Sequence, residues 1–363
     1  VERAPPDTIS KFNERSRHIL LALSDSGRER HKEFSMTLNV LLRQGQVAFL
    51  ALGLIGFGMA AVQAEEASLD RPIEKVLEPI QLTDRVHYFY GSLENRTPTN
   101  LGFTNNTGFV VTDEGVVLID SGPSYQVAQR MEKAIAGVTD KPITHVISVG
   151  SQDHRWLGNG YFHEQGAELV ALQRTASTQA DRGEGQIASL ANSVGEEAME
   201  GTQPVPAPNP IDADEYTLTV GGVDFELIYA GDAHFPGDIM VHLPGEDVVF
   251  TGDIVYTERM LGIHPFSNPV EKLEAFRHLE SIDPEIVVPG HGRATDMAEA
   301  RQDTGDYLEL LVREVTAGIE DWESLNEVVD RLADLEQFKH LRHYDDWHRP
   351  NVNRTYLFIE GNM

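Results

Sequence analysis

Short apolar runs broken by turn residues recur along the middle of this chain, and the spacing of their hydrophobic positions switches between two periods. Val86–Tyr90, Thr107–Val111 and Val116–Asp120 are strand-like, with the turn signal Thr112-Asp-Glu-Gly115 between the last two. From Val127 to Val138 the positions Ala128, Met131, Ile135 and Ala136 recur at helical spacing and lead into a strand at Thr144–Val149. A short helix at Tyr161–Gln165 stops at Gly166, the strand Glu168–Ala171 follows, and residues 172–200 are polar with alanines spaced for helix. Gln203–Pro210 is a proline-rich connector that cannot enter a sheet interior. Strands then recur at Tyr216–Val220, Val223–Tyr229, Ile239–Leu243, Val248–Phe250 and Ile286–Val288, with a helix from Pro269 to Leu279 before the last.

Strands, helix and strand thus occur twice in the same order. This predicts two sheets packed face to face with helices outside, an α/β four-layer αβ/βα sandwich occupying residues 65–300. Beyond Thr295 the pattern is helical through Tyr307–Val315 and Leu325–Leu332, and Asn353–Glu360 is again apolar. Residues 301–363 are therefore expected to form a C-terminal helical extension packed on the domain.

The amino-terminal pattern is different. Met36–Arg43 is a basic segment, Val47–Val62 is apolar and rich in Gly and Ala, and Gln63-Ala64 ends it with a small residue. That arrangement predicts a secretory signal at 36–64, cleaved after Ala64. The apolar run is shorter than the roughly 20 residues that span a bilayer, so a cleaved signal is favoured over an anchor. Residues 1–35 read as an extension upstream of a start at Met36. The expected location is periplasmic or secreted, with no stable membrane insertion of the mature chain.

Composition narrows the function classes. The formal charge is −29, from 58 acidic and 29 basic residues, which repels phosphate backbones and argues against nucleic-acid partners. The absence of cysteine removes disulfides, iron–sulfur clusters and thiolate zinc sites. No Gly-X-X-X-X-Gly-Lys loop is present, so nucleotide hydrolysis of that kind is excluded.

The candidate chemistry lies in turns that follow apolar strands. Val149-Gly-Ser-Gln-Asp153-His154-Arg155-Trp156 follows one, and Gly231-Asp-Ala-His234-Phe-Pro-Gly-Asp238, Phe250-Thr-Gly-Asp253 and Val288-Pro-Gly-His291-Gly follow others. Imidazoles and carboxylates converging from separate strand ends are what a divalent metal site requires. One such residue alone is ordinarily a surface or core residue; His291 is the better candidate, because tight turns on both sides force its ring outward. In the tail, His340, His343 and His348 near Asp345-Asp346 read as a solvated helix end.

Taken together, the four segments resemble the motifs of the metallo-β-lactamase superfamily over roughly residues 84–300, and the tail to Glu360 is similar to a periplasmic branch associated with quinoprotein dehydrogenase and sulfur-oxidation systems. That superfamily's loop reads His-X-His-X-Asp-His, whereas Val149 and Ser151 here stand in the two leading positions. The resemblance implies that Asp120, in Leu-Ile-Asp-Ser-Gly, orders the metal loop from outside the ligand set. It leaves the first metal site only His234 and gives the second all of its ligands: Asp153, His154, Asp253 and His291. One ion is therefore expected, zinc or another divalent metal.

What the resemblance implies for activity is a hydrolase of a small ester, thioester or amide-like substrate. The metal would lower the pKa of a water. His234, released from metal duty, would act as general base or acid, with Asp153 or Asp253 orienting the water. The missing histidine pair weighs against persulfide dioxygenase and two-zinc glyoxalase-II-type chemistry. Arg155 is expected either to pair a substrate carboxylate or to form a surface salt bridge, and Trp156 to be core. The alternative is a metal-binding accessory protein that has lost catalysis and serves a periplasmic oxidation-system partner.

Overall fold

The computed structural model describes residues 70–363, so the expected signal and the upstream extension lie outside the described residues. After a one-turn helix α1 (Ile73–Val76), a six-stranded sheet runs in the order β1 (Ile80–Gln81), β2 (Val86–Phe89), β3 (Thr107–Val111), β4 (Val116–Ile119), β5 (Ile143–Ile147) and β6 (Glu168–Val170). Strands β1 to β4 pair antiparallel, and β4, β5 and β6 pair parallel. The parallel steps need crossovers. These are α2 (Tyr125–Ile135), then the short α3 (Asp153–Trp156) and α4 (Asn159–Glu164). Helix α5 (Gln173–Val194) leads to the second half of the sandwich.

The second sheet repeats the plan. Strands β7 (Glu215–Val220), β8 (Val223–Ile228), β9 (Met240–Leu243) and β10 (Val248–Phe250) form an antiparallel meander. Strand β11 (Ile286–Val288) joins β10 in parallel through α6 (Pro269–Ile282). Asn268 caps α6 by accepting from Glu271 N at 3.0 Å, and left-handed Asp283 ends it.

Residue alternation along the strands assigns the layers. In β4, Val117 and Ile119 join the inter-sheet core with Phe225, Leu227 and Val241, while Val116 and Leu118 face the α2 side with Val127 and Met131. In β10, Val248 and Phe250 point between the sheets and Val249 points toward α6, where Phe276 and Leu279 cover it. Each fully buried aliphatic side chain contributes roughly 1.5–3 kcal/mol, and the period of two sends that contribution to both faces. The four layers expected from the sequence are present.

The C-terminal region is helical: α7 (Met297–Ala300), α8 (Asp306–Glu320), α9 (Leu325–Arg331) and α10 (Tyr344–Asn362). Helix α8 packs on α6. His348 corrects the solvated reading of the tail histidines. It is buried, with Nδ1 3.0 Å from Tyr307 Oη and Nε2 2.6 Å from the Leu332 carbonyl, and so ties α10 to α8. No described helix is long and apolar enough to cross a membrane.

Candidate metal centre

The carboxyl ends of β4, β5, β8, β10 and β11 meet at one edge of the sandwich, and each motif follows one of them. Asp120 leaves β4 in the left-handed region at φ 64°, a conformation that costs a non-glycine residue of order 1 kcal/mol. It is held there because its Oδ1 accepts from Val149 N at 2.9 Å, which pins the loop after β5. Val149 itself is buried in the inter-sheet core, and its carbonyl accepts from Ile239 N at 2.9 Å. Ser151 is also buried, with Oγ 3.4 Å from the Pro236 carbonyl.

His154, Asp253 and His291 come together, with one ligand atom from each lying within 4.8 Å of the others. Asp253 Oδ1 is 3.2 Å from His291 Nε2, and its Oδ2 is 3.5 Å from His154 Nε2. All three side chains are buried. Among the described residues His154 Nε2 has no hydrogen-bond partner, and it stands 3.5 Å from the Asp253 carboxylate. Burial pushes the His291 imidazole down to about 3, against the pull of Asp253, so it stays neutral. Two imidazoles and a carboxylate match the three-ligand set of an open catalytic metal site, and the triad fits a divalent cation on that ground.

Arg155 corrects both sequence readings of that residue. It is neither a surface partner nor free for a substrate, but a buried cation between two carboxylates. Its Nη1 donates to Asp120 Oδ2 at 2.6 Å, its Nη2 to Asp253 Oδ1 at 2.6 Å and its Nε to Asp253 Oδ2 at 3.1 Å. Burial alone would raise the Asp253 carboxyl, but Arg155 and the two imidazoles hold it well below the usual carboxylate range. For Asp120 burial wins over Arg155, and the carboxyl rises to about 6. Trp156 is core, as expected, with its indole Nε1 donating to the Ser151 carbonyl at 3.1 Å.

Asp153 stands beside the triad and outside it. Its Oδ1 lies 3.1 Å from His154 Nδ1 and is engaged by Arg96. Burial raises its carboxyl, but Arg96 and His154 outweigh that and keep it ionised. Arg96 Nη2 also lies 2.7 Å from His154 Nδ1.

His234 sits across the pocket with Nδ1 2.9 Å from the Gly262 carbonyl, so Nδ1 donates and the Nε2 lone pair faces inward. Burial holds its imidazole well below the ordinary value. The berth between His234 and Asp253, expected to be vacant, holds the Gln152 carboxamide. With its amide oriented as its neighbours require, Gln152 donates to Asp253 Oδ2 at 3.0 Å and to His234 Nε2 at 3.1 Å, and accepts from Arg96 at 3.2 Å.

Above the triad lies a cavity of about 60 Å³ whose walls include Arg96, Tyr256, Arg259, His264 and Trp347. None of these carried a sequence signal. They come from irregular loops and from α10, where no periodicity or motif marks a position as facing a site.

Residues 101–291 match the family model described as Metallo-beta-lactamase superfamily, and the chain belongs to that superfamily. A curated relative, the 2,4-dinitroanisole O-demethylase subunit alpha of Nocardioides sp. (strain JS1661), is 24% identical over 261 residues, 68% of each chain. Among solved structures, the metallo-beta-lactamase from Pontibacter korlensis aligns with a TM-score of 0.52 at 20% identity, over 64% of this chain and 98% of that one. The stereoselective inverting sec-alkylsulfatase Pisa1 from Pseudomonas sp. aligns with a TM-score of 0.59 at 16% identity, over 77% of this chain and 49% of that one. At such identities the two structures share a fold with this chain.

Proposed function

We propose that this protein is a metal-dependent hydrolase of small ester, thioester or amide-like substrates, working with one divalent cation held by His154, Asp253 and His291. The observation that carries the reading is His154 Nε2, buried without a hydrogen-bond partner among the described residues beside the Asp253 carboxylate and the His291 imidazole. Such a ligand set suits zinc. A divalent cation there would supply Lewis acidity, lowering the pKa of a water and polarising an acyl oxygen.

The chain's own residues divide the remaining work. Ligation through Nε2 would put the His154 proton on Nδ1, where Asp153 Oδ1 at 3.1 Å could accept it only once Arg96, whose Nη2 stands 2.7 Å from Nδ1, turns aside. Arg155 keeps Asp253 ionised and fixes its plane. His234 donates from Nδ1 to Gly262 and turns Nε2 inward, where it accepts from the Gln152 amide; with that amide moved aside, Nε2 would be the proton acceptor. Gln152 links His234 to Asp253 through an amide, which supports one cation over two. The likeness to a protein named an O-demethylase adds aryl methyl ethers to the substrates worth screening.

The test is metal quantification of purified protein beside a panel of 4-nitrophenyl acetate, an acyl thioester, a chromogenic β-lactam and 2,4-dinitroanisole. One equivalent of metal and chelator-sensitive turnover of one class are expected. His234→Ala should lower kcat while retaining the metal. One bound metal with no turnover across the panel would overturn the hydrolase reading, and an unchanged kcat in His234→Ala would remove the base.

A further inference from the structure

Three guanidinium groups surround the site, and two of them have carboxylates. Arg155 lies between Asp120 and Asp253, and Arg96 is paired with Asp153. Arg259 has none. It is only 8% exposed, and its polar contacts are the Glu94 carbonyl at 3.4 Å, Asn95 Oδ1 at 3.2 Å and His291 Nδ1 at 3.5 Å from Nη1. Its Nε is buried with no hydrogen-bond partner among the described residues. A buried charge without a counter-ion in contact is destabilising. In a chain carrying a formal charge of −29, leaving an arginine unpaired beside the triad is a specific arrangement.

The segment bearing Arg259 is clamped by the C-terminal region, which lies outside the residues matched to the superfamily. Met260 N donates to the Arg342 carbonyl at 2.8 Å, and Arg342 N donates to the Glu258 carbonyl at 2.9 Å. From α10, Asn351 accepts from Ile263 N at 2.8 Å and donates to the Leu261 carbonyl at 2.7 Å. The same helix brings Trp347 to the cavity wall, where its ring stands edge-on to His264 at 5.6 Å. The tail therefore builds one side of the pocket.

From the unpaired Arg259 and the tail-built wall beside it, we infer that the substrate is a small organic anion: Arg259 binds its anionic group, and Trp347 closes the pocket on its apolar body. The inference rests on reading this cavity as the substrate site of the proposed hydrolase. Guanidinium provides two parallel donors for a carboxylate or sulfonate, which an ammonium does not. The bound anion would supply the missing counter-charge and occupy the idle Nε–H.

The test measures binding only, by calorimetry on the metal-loaded full chain, with benzenesulfonate and its neutral analogue methyl phenyl sulfone. The sulfonate is expected to bind at least about tenfold more tightly, the scale of a charged hydrogen bond. Arg259→Gln should erase that preference, and Trp347→Ala should weaken both ligands by a similar factor. Equal binding of the two probes by the wild-type chain, or a preference that survives in Arg259→Gln, overturns the inference. Should Arg259→Gln fail to fold, Arg259→Lys is expected to lower sulfonate affinity several-fold and leave the sulfone unchanged; no loss overturns it. Ester turnover without anion preference would retire this inference alone, and anion preference without turnover would retire the hydrolase reading alone.

Discussion

Arg155 grips Asp253 with two parallel N–H bonds, Nη2 to Oδ1 at 2.6 Å and Nε to Oδ2 at 3.1 Å, with neither side chain exposed. Removing one partner of such a pair strands the other charge in the interior. Arg155→Met is expected to lose about 3–5 kcal/mol in urea unfolding. A loss below about 1 kcal/mol would show that water or rearrangement relieves Asp253, and that Arg155 does not set its charge.

Gly290 lies between those two groups. A Cβ there would stand 2.5 Å from Asp253 Oδ1, 2.5 Å from the Gly252 carbonyl and 2.6 Å from Arg155 Nη2. Gly290→Ala should therefore displace Asp253, destabilise the chain by about 1–3 kcal/mol and weaken metal binding. Metal titration of the folded variant checks the second effect; unaltered affinity would place the ligand oxygen elsewhere.

Asp153 decides between two accounts of the metal loop. The superfamily resemblance makes it a ligand, while the structure sets it against His154 Nδ1 and Arg96. As an orienting partner, Asp153→Asn should cost about 10–100-fold in metal affinity. Complete loss of metal from the folded variant would restore the ligand role.

His264 carries a pH signature. Burial foremost, with Arg354 and Arg96 nearby, pushes its imidazole down to about 4 from an ordinary 6.5. The folded state thus holds fewer protons than the unfolded state in that window. The stability His264 contributes is full above pH 6.5 and is lost as pH falls toward 4, by at most about 1.4 kcal/mol per pH unit. His264→Gln should flatten the acid limb of the stability curve between those limits. Parallel limbs for the variant and the wild type would assign the slope to other groups.

The apolar runs of β4 and β10 were legible because a strand buried on both faces is apolar throughout, and the alternation of β8 because one buried face forces a period of two. So were the turns carrying His154, Asp253 and His291, since each follows a strand that has to end at the same edge. Substitution at Val149 and Ser151 was equally plain. Its consequence was not: the sequence leaves a vacancy there, and the fold fills it with Gln152, a neighbour with no motif of its own.

Local pattern determined the layers, the order of the strands and which turns carry metal-binding chemistry, because propensity and periodicity act over a few residues. Only the tertiary structure decided which charges meet. Arg155 is one residue from His154 and 98 from Asp253, yet its partner is the distant carboxylate. Arg96, Arg259 and Trp347 reach one cavity from three remote segments. Coulombic energy depends on distance in space and on burial, and neither is written in the spacing of residues along a chain.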